Sequence, residues 1–256
     1  FTKLLLLILT FKIAKFVKSD ETTKIIYFSL IAISVLQLTE YTWGASRPYL
    51  SYRELPSLVF LIFSMEILLK ENKNYYAFLI GLISAISIFF ILDRGFYTNV
   101  LILLLLAYFL LRKEFQIVTL IFLGLIFSWS IFYIFVGSKE FSFFLENTYY
   151  YVTTGKLLDS FVYPAPFISG KFFTTKGILI IIISGLLIIY GLLVKSEKKD
   201  NSLIFYFFII FLLGLLTYQN ALRRPDPNHI RYSICYSIFL ICLIFFKEIS
   251  FKISQK

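Results

Sequence analysis

The chain has 256 residues, a net charge of +10, a hydrophobic fraction of 59% and a mean hydropathy of +0.83. Soluble domains average about 45–50% apolar residues, so a soluble reading is excluded. The basic surplus falls on lysines between apolar blocks, the usage of loops facing anionic lipid, and nucleic acid is therefore not an expected partner.

Spanning β-barrels show segments of about ten residues that alternate apolar and polar. That pattern is absent, so the predicted fold class is all-α: a polytopic transmembrane helical bundle forming a single domain over residues 1–256. A bilayer core about 30 Å thick asks for about 17–25 apolar residues per helix. About nine spans are predicted on that basis, near 2–17, 24–39, 55–70, 75–92, 98–111, 115–137, 177–194, 202–218 and 232–247. Lys12 interrupts the first, and the fifth is short for a bilayer. Glu66, near one end of the third, reads as a snorkelling or pairing residue. Cys235 and Cys242 stand in the last block and read as thiols facing lipid or core. The sequence opens on Phe1 and its single methionine is Met65, which points to a piece of a longer protein; the first apolar block runs on into further spans, so no cleavable leader is expected.

Alternate connections divide the bases unevenly. The segments 15–24, 70–74, 112–114, 195–200 and 247–256 hold 13 Lys/Arg in 34 residues, against 10 in 73 for 40–54, 93–98, 138–176 and 219–231. Short loops dense in Lys and Arg stay cytoplasmic. The expectation is a multi-pass protein of the plasma (inner) membrane with its C-terminus in the cytoplasm. Of seven arginines, six (Arg47, Arg53, Arg94, Arg223, Arg224 and Arg231) then fall on the outer side, and only Arg112 falls inside. The positive-inside rule does not account for outer arginines, so a site, if present, faces outward.

The longest outer loop, 138–176, has its own pattern. Phe141, Phe144, Leu145, Tyr149 and Val152 fall on one helical stripe, predicting an interfacial helix near 139–153. Pro164 and Pro166 then oppose helix. The helix reads either as an aromatic anchor in the headgroup layer or as a gate beside a lipid substrate.

Three outer clusters carry the residues suited to chemistry. The first runs from Glu40 to Glu54 and includes Arg47 and Arg53; the second is Asp93-Arg94-Gly95-Phe96-Tyr97; the third is Arg223-Arg224-Pro225-Asp226-Pro227-Asn228-His229-Ile230-Arg231. Arginine's planar fork grips phosphate oxygens in pairs and stays charged when desolvated. A hydroxyl acceptor needs a base, which Asp93, Asp226, His229 or, more weakly, Glu40 offers. Aromatic rings such as Tyr97 give stacking faces for sugars. Simpler readings stand beside these. Asp93-Arg94 and Arg53-Glu54 each suit a local ion pair at a helix end, with Gly95 allowing a tight turn, and His229 suits a solvated loop. No metal, haem or nucleotide motif is present; a divalent cation is the one cofactor left open.

Arg53-Glu54-Leu55-Pro56 entering a span, Asp93-Arg94-Gly95-Phe96-Tyr97, and Arg224-Pro225-Asp226-Pro227-Asn228-His229-Ile230 before a late span together resemble polytopic bacterial glycosyltransferases of the GT-C type. The resemblance covers about residues 40–245. It implies transfer of a sugar from a polyprenyl-phosphate-linked donor to a glycan, lipid or protein acceptor on the outer face of the membrane. Arg47, Arg53, Arg94, Arg223, Arg224, Arg231 and Tyr97 are then the expected substrate-binding residues, and Asp93, Asp226, His229 and Glu40 the expected catalytic ones. Members of that family carry an acidic residue in a first outer loop near the N-terminus. Nothing before Lys15 supplies one, so the resemblance implies a C-terminal portion. A polymerase or ligase of surface polysaccharide, and a flippase or transporter of a lipid-linked or anionic solute, are the alternative readings.

Overall fold

The computed structural model describes residues 8–9, 11–12, 53–69, 73–158, 166–167, 172–194, 201–222, 230 and 233–254. Among them the chain is helical and has no strand. Eight helices follow in order: α1 (Leu55–Leu69), α2 (Asn74–Phe90), α3 (Leu92–Leu111), α4 (Phe115–Val136), α5 (Ser138–Leu158), α6 (Phe172–Val194), α7 (Asn201–Ala221) and α8 (Cys235–Ser254). Three of these, α3, α4 and α7, are long and apolar enough to cross a membrane, and α1 and α2 are shorter apolar helices. The predicted span at 24–39 lies outside the described residues, and so does most of the one at 2–17.

Helix boundaries follow hydrogen bonding more than hydropathy. The fifth predicted span, placed at 98–111, starts at Leu92, so Asp93, Arg94 and Gly95 belong to the first turns of α3 and not to a loop. Only Ile91, in extended conformation, separates α2 from α3. The far end of α3 closes on a tight reversal in which the amides of Lys113 and Glu114 donate to the carbonyls of Leu110 and Phe109. Lys113 takes φ of 60° there, the left-handed position of that cap. Gly137, at φ of 86°, is the single residue between α4 and α5, a conformation that suits glycine.

Packing between the helices relies on small residues. A Cβ on Gly81 of α2 would come within 2.2 Å of the Ile121 carbonyl, and one on Gly124 of α4 within 2.2 Å of the Phe78 carbonyl. The backbones of α2 and α4 therefore touch, as in helix pairs that lack a hydrophobic driving force and depend on close contact. Gly95 has a similar role: its Cβ would lie 2.4 Å from the Ile88 Cα. The expected tight turn at Gly95 is thus corrected to a helix crossing, where the missing side chain lets α3 lie against α2.

A polar seam joins the same three helices. Asn99 donates to the carbonyls of Gly95 (2.8 Å) and Ser84 (3.0 Å), while the Trp129 indole donates to the Ser84 hydroxyl at 2.9 Å. The hydrophobic core lies among α1, α2, α3, α7 and α8, around Phe60, Leu61, Leu101, Phe109, Tyr206 and Leu240. Tyr206 is fully buried and donates to the Leu61 carbonyl at 3.2 Å. A second cluster ties α6 to α7 through Ile181 and Tyr218, with the Tyr218 hydroxyl donating to the Thr174 carbonyl at 2.6 Å. The outer faces of α4 and α6 stay apolar and exposed, including Phe127, Ile134, Phe135, Ile183 and Leu186. An apolar exterior this extensive suits lipid and not water.

Gly81→Ala is expected to destabilise the protein by about 1–3 kcal/mol, the usual cost of overpacking. Gly185→Ala should cost less, because a Cβ there meets only the Phe211 ring, at 3.0 Å or more. Thermal unfolding of the two variants in detergent makes the comparison.

Candidate functional site

Asp93 and Arg94 open α3, and Arg53 and Glu54 lead into α1. The two adjacent pairs meet across the helix ends. Arg53 donates to Asp93 at 2.6 Å, and Arg94 donates through Nε to Glu54. Within the sequence-adjacent pair the Arg94 guanidinium stands 3.9 Å from Asp93, so the contact across helices is closer than the local one. Each charge therefore finds its main partner forty residues away, and the expectation that each dipeptide neutralises itself is corrected. Within the first turn of α3 the carboxylate also accepts from the Arg94 amide at 2.9 Å. An acidic group in the first turn is favoured by the helix dipole.

Two further helices join this clasp. Asn220, at the end of α7, donates to Asp93 at 2.9 Å, and the Tyr236 hydroxyl, at the start of α8, donates to Glu54 at 2.6 Å. Four helix ends are thus held by one network. Tyr97, one turn further into α3, lies under Arg94, with the guanidinium carbon 5.4 Å from its ring centroid. The inner half of the clasp is well buried, with side-chain exposures of 5% for Arg94 and 8% for Glu54. The outer half is more open, at 34% for Arg53 and 14% for Asp93.

The opposite end of α3 has its own charges. Arg112 pairs with Glu114 at 3.1 Å and donates to the Ser202 hydroxyl at 2.9 Å, and Lys73 pairs with Glu114 at 3.1 Å. Arg112 lies over the Tyr108 ring, which stacks on Phe205 with centroids 3.9 Å apart. Glu66, only 1% exposed, pairs with Lys12, which explains an acidic residue and a lysine inside two apolar blocks.

Of the residues singled out in the sequence, Arg53, Asp93, Arg94 and Tyr97 are brought together. Glu40, Arg47, Arg223, Arg224, Asp226, His229 and Arg231 lie outside the described residues. Glu54, Asn220 and Tyr236 are not among the site residues that the sequence points to. Glu54 stood in the first cluster and was read as a local partner. Asn220 closes an apolar helix with a polar group, which is a usable signal. Tyr236 gave none, because tyrosine is common near the ends of membrane helices. Among the described residues no group of three or more His, Cys, Asp or Glu is placed to hold a metal ion.

The charges of the clasp cancel, so as it stands the assembly is a lock between helices whose one accessible cation is turned toward the open side. A buried pair is costly to break, about 3–5 kcal/mol, whereas replacing both partners by apolar residues is often close to neutral. Glu54→Leu and Arg94→Met are each expected to destabilise by that amount, and the double variant by much less. Arg53→Gln, at the exposed pair, should cost about 1 kcal/mol or less. A double-mutant cycle in unfolding free energy reads all four.

Comparison with family models, with curated proteins and with solved structures finds no match to this chain, so the functional reading rests on its own residues.

Proposed function

We propose that this chain is a membrane glycosyltransferase of the GT-C type, or its C-terminal part, acting on a lipid-phosphate-linked sugar at the outer face of the plasma membrane. The observation that carries the reading is the gathering of Arg53, Glu54, Asp93 and Arg94 at one end of an otherwise apolar bundle. A donor of this class places its phosphate at the headgroup layer and its tail in the bilayer. A site for it belongs where polar groups collect at the end of a bundle with an apolar exterior.

In this reading the clasp is the floor of the site. Arg94 is committed to Glu54 and keeps the floor together, and Arg53 is the clasp residue turned toward the phosphate. The remaining grip comes from Arg47, Arg223, Arg224 and Arg231, with Asp226 or His229 orienting the acceptor. The third cluster is well placed in sequence for this: it starts three residues after Asn220 and ends five before Tyr236, and both of those residues bind the clasp. About nine spans, with the C-terminus in the cytoplasm, complete the arrangement. Helix α5 lies in the interface; its Phe141 and Phe144 meet Phe132 edge-on at 5.8 and 5.3 Å, which supports an anchored, not free, helix. A polymerase or ligase of lipid-linked oligosaccharide would use the same face, and differs in the substrate it accepts.

Two measurements test the reading. In membranes carrying the protein, transfer of labelled sugar from a polyprenyl-phosphate donor should fall about tenfold or more in Arg224→Ala. That is the loss for one charge-assisted contact of about 1.5–3 kcal/mol. Transfer that is unchanged in both Arg224→Ala and His229→Ala removes the proposal. Single cysteines at 47, 159, 197 and 229, in a Cys235→Ser/Cys242→Ser background, should label from outside intact cells at all positions but 197.

A further inference from the structure

The two halves of the clasp differ in a way that the lock alone does not require. Glu54 and Arg94 are sealed, and Glu54 takes a second bond from Tyr236. Arg53 and Asp93 face the open side, and the bond between them uses Nη2, one corner of a guanidinium that carries five donors. Asp93 also has two other donors, the Asn220 amide and the Arg94 backbone amide, both at 2.9 Å. Its carboxylate would keep its place if Arg53 turned away.

We infer that Arg53 is an exchangeable phosphate ligand: a phosphate monoester, the form in which sugar transfer leaves the lipid carrier, displaces Asp93 from Arg53, while Asn220 and the Arg94 amide retain the carboxylate. The inference rests on the glycosyltransferase reading for the phosphate's origin, though the exchange itself needs only a phosphate. Phosphate is the fitting competitor because it carries more charge than a carboxylate and matches the guanidinium fork in the same bidentate way. The pair it displaces is the partly exposed one, where an ion pair is worth about 1 kcal/mol or less. The buried pair, whose loss costs several times that, is untouched, so the helix ends stay locked during the exchange. Asp93 is thus a competitor for the ligand as well as a structural partner, and Asn220 is a positioning residue that acts through it.

A competitor and a scaffold make opposite predictions. The full-length chain in phosphatidylcholine nanodiscs is titrated with two probes, inorganic phosphate and nanodisc-embedded polyprenyl monophosphate. Asp93→Asn keeps the shape of the side chain and removes its charge. It should tighten binding about fivefold, the release of a pair worth about 1 kcal/mol, while Arg53→Gln should abolish the gain and weaken the wild-type affinity. Tightening with both probes identifies the phosphate alone as sufficient; tightening with the lipid probe only assigns the site to the phosphate of the lipid carrier. In the wild-type chain, where folding is not in question, polyprenyl phosphate should protect Arg53 from phenylglyoxal. The exchange is overturned if Asp93→Asn folds and binds no more tightly, or if Arg53 gains no protection. Should the wild type still retain polyprenyl phosphate in either case, the glycosyltransferase reading survives the failure. If neither wild type nor Asp93→Asn binds either probe, both are lost.

Discussion

Burying a charge in an apolar bundle is tolerated only when an opposite charge and further hydrogen bonds meet it there. Glu54 and Arg94 satisfy that condition together, with the Tyr236 hydroxyl on the carboxylate and the Tyr97 ring against the guanidinium. Because the four groups come from α1, α3 and α8, the constraint is also topological. The entrances of those helices must reach the same depth and the same place. Asp93 extends the constraint to α7 through Asn220. At this end of the bundle one polar network therefore ties the relative height of four helices.

The rest of the bundle is arranged so that this network can close. Gly95 lets α3 press against Ile88 of α2, and Gly81 with Gly124 lets α4 reach α2 from another side. Asn99, Ser84 and Trp129 then hold the three at a set register. At the other end of α3, Arg112, Glu114, Lys73 and Ser202 form a looser, more exposed counterpart. The two ends differ in kind: one holds a buried pair, Arg94 and Glu54, beside a partly exposed one, whereas the pairs at the other end are all partly exposed. Function is more naturally sought at the buried end, where ion pairs are costly to assemble and still present an arginine outward.

Much of the architecture was legible in the residues. Blocks of Leu, Ile and Phe located most of the described helices, since apolar length is a strong constraint in a bilayer, but the last helix runs to Ser254, seven residues beyond the expected end at 247. Where the boundaries moved, as at Leu92 and Phe172, the helix ran on through charged or hydroxyl residues that hydropathy assigns to loops. The pairing scheme was not legible. Arg53-Glu54 and Asp93-Arg94 look self-sufficient as dipeptides, and only the approach of α1 to α3 shows that each charge is answered from the other helix. Lys12 and Glu66 each stand out inside an apolar block, yet nothing in a linear reading links residues 54 apart. Gly95 suits a turn only because hydropathy leaves it between two apolar blocks; its actual role depends on α2, which no local pattern reports.

One clasp joins α1, α3, α7 and α8 at one end of the bundle. Paired cysteines test this directly, in membranes before solubilisation and in a Cys235→Ser/Cys242→Ser background. Arg53→Cys with Asp93→Cys, and Asp93→Cys with Asn220→Cys, should both be joined by a short bifunctional thiol reagent. Arg53→Cys with Glu114→Cys, at opposite ends of α3, should not. Cross-linking of the first two pairs and not the third is the predicted result. Failure of the 53–93 pair to link, or linkage of 53 to 114, would contradict the clasp and the site built on it.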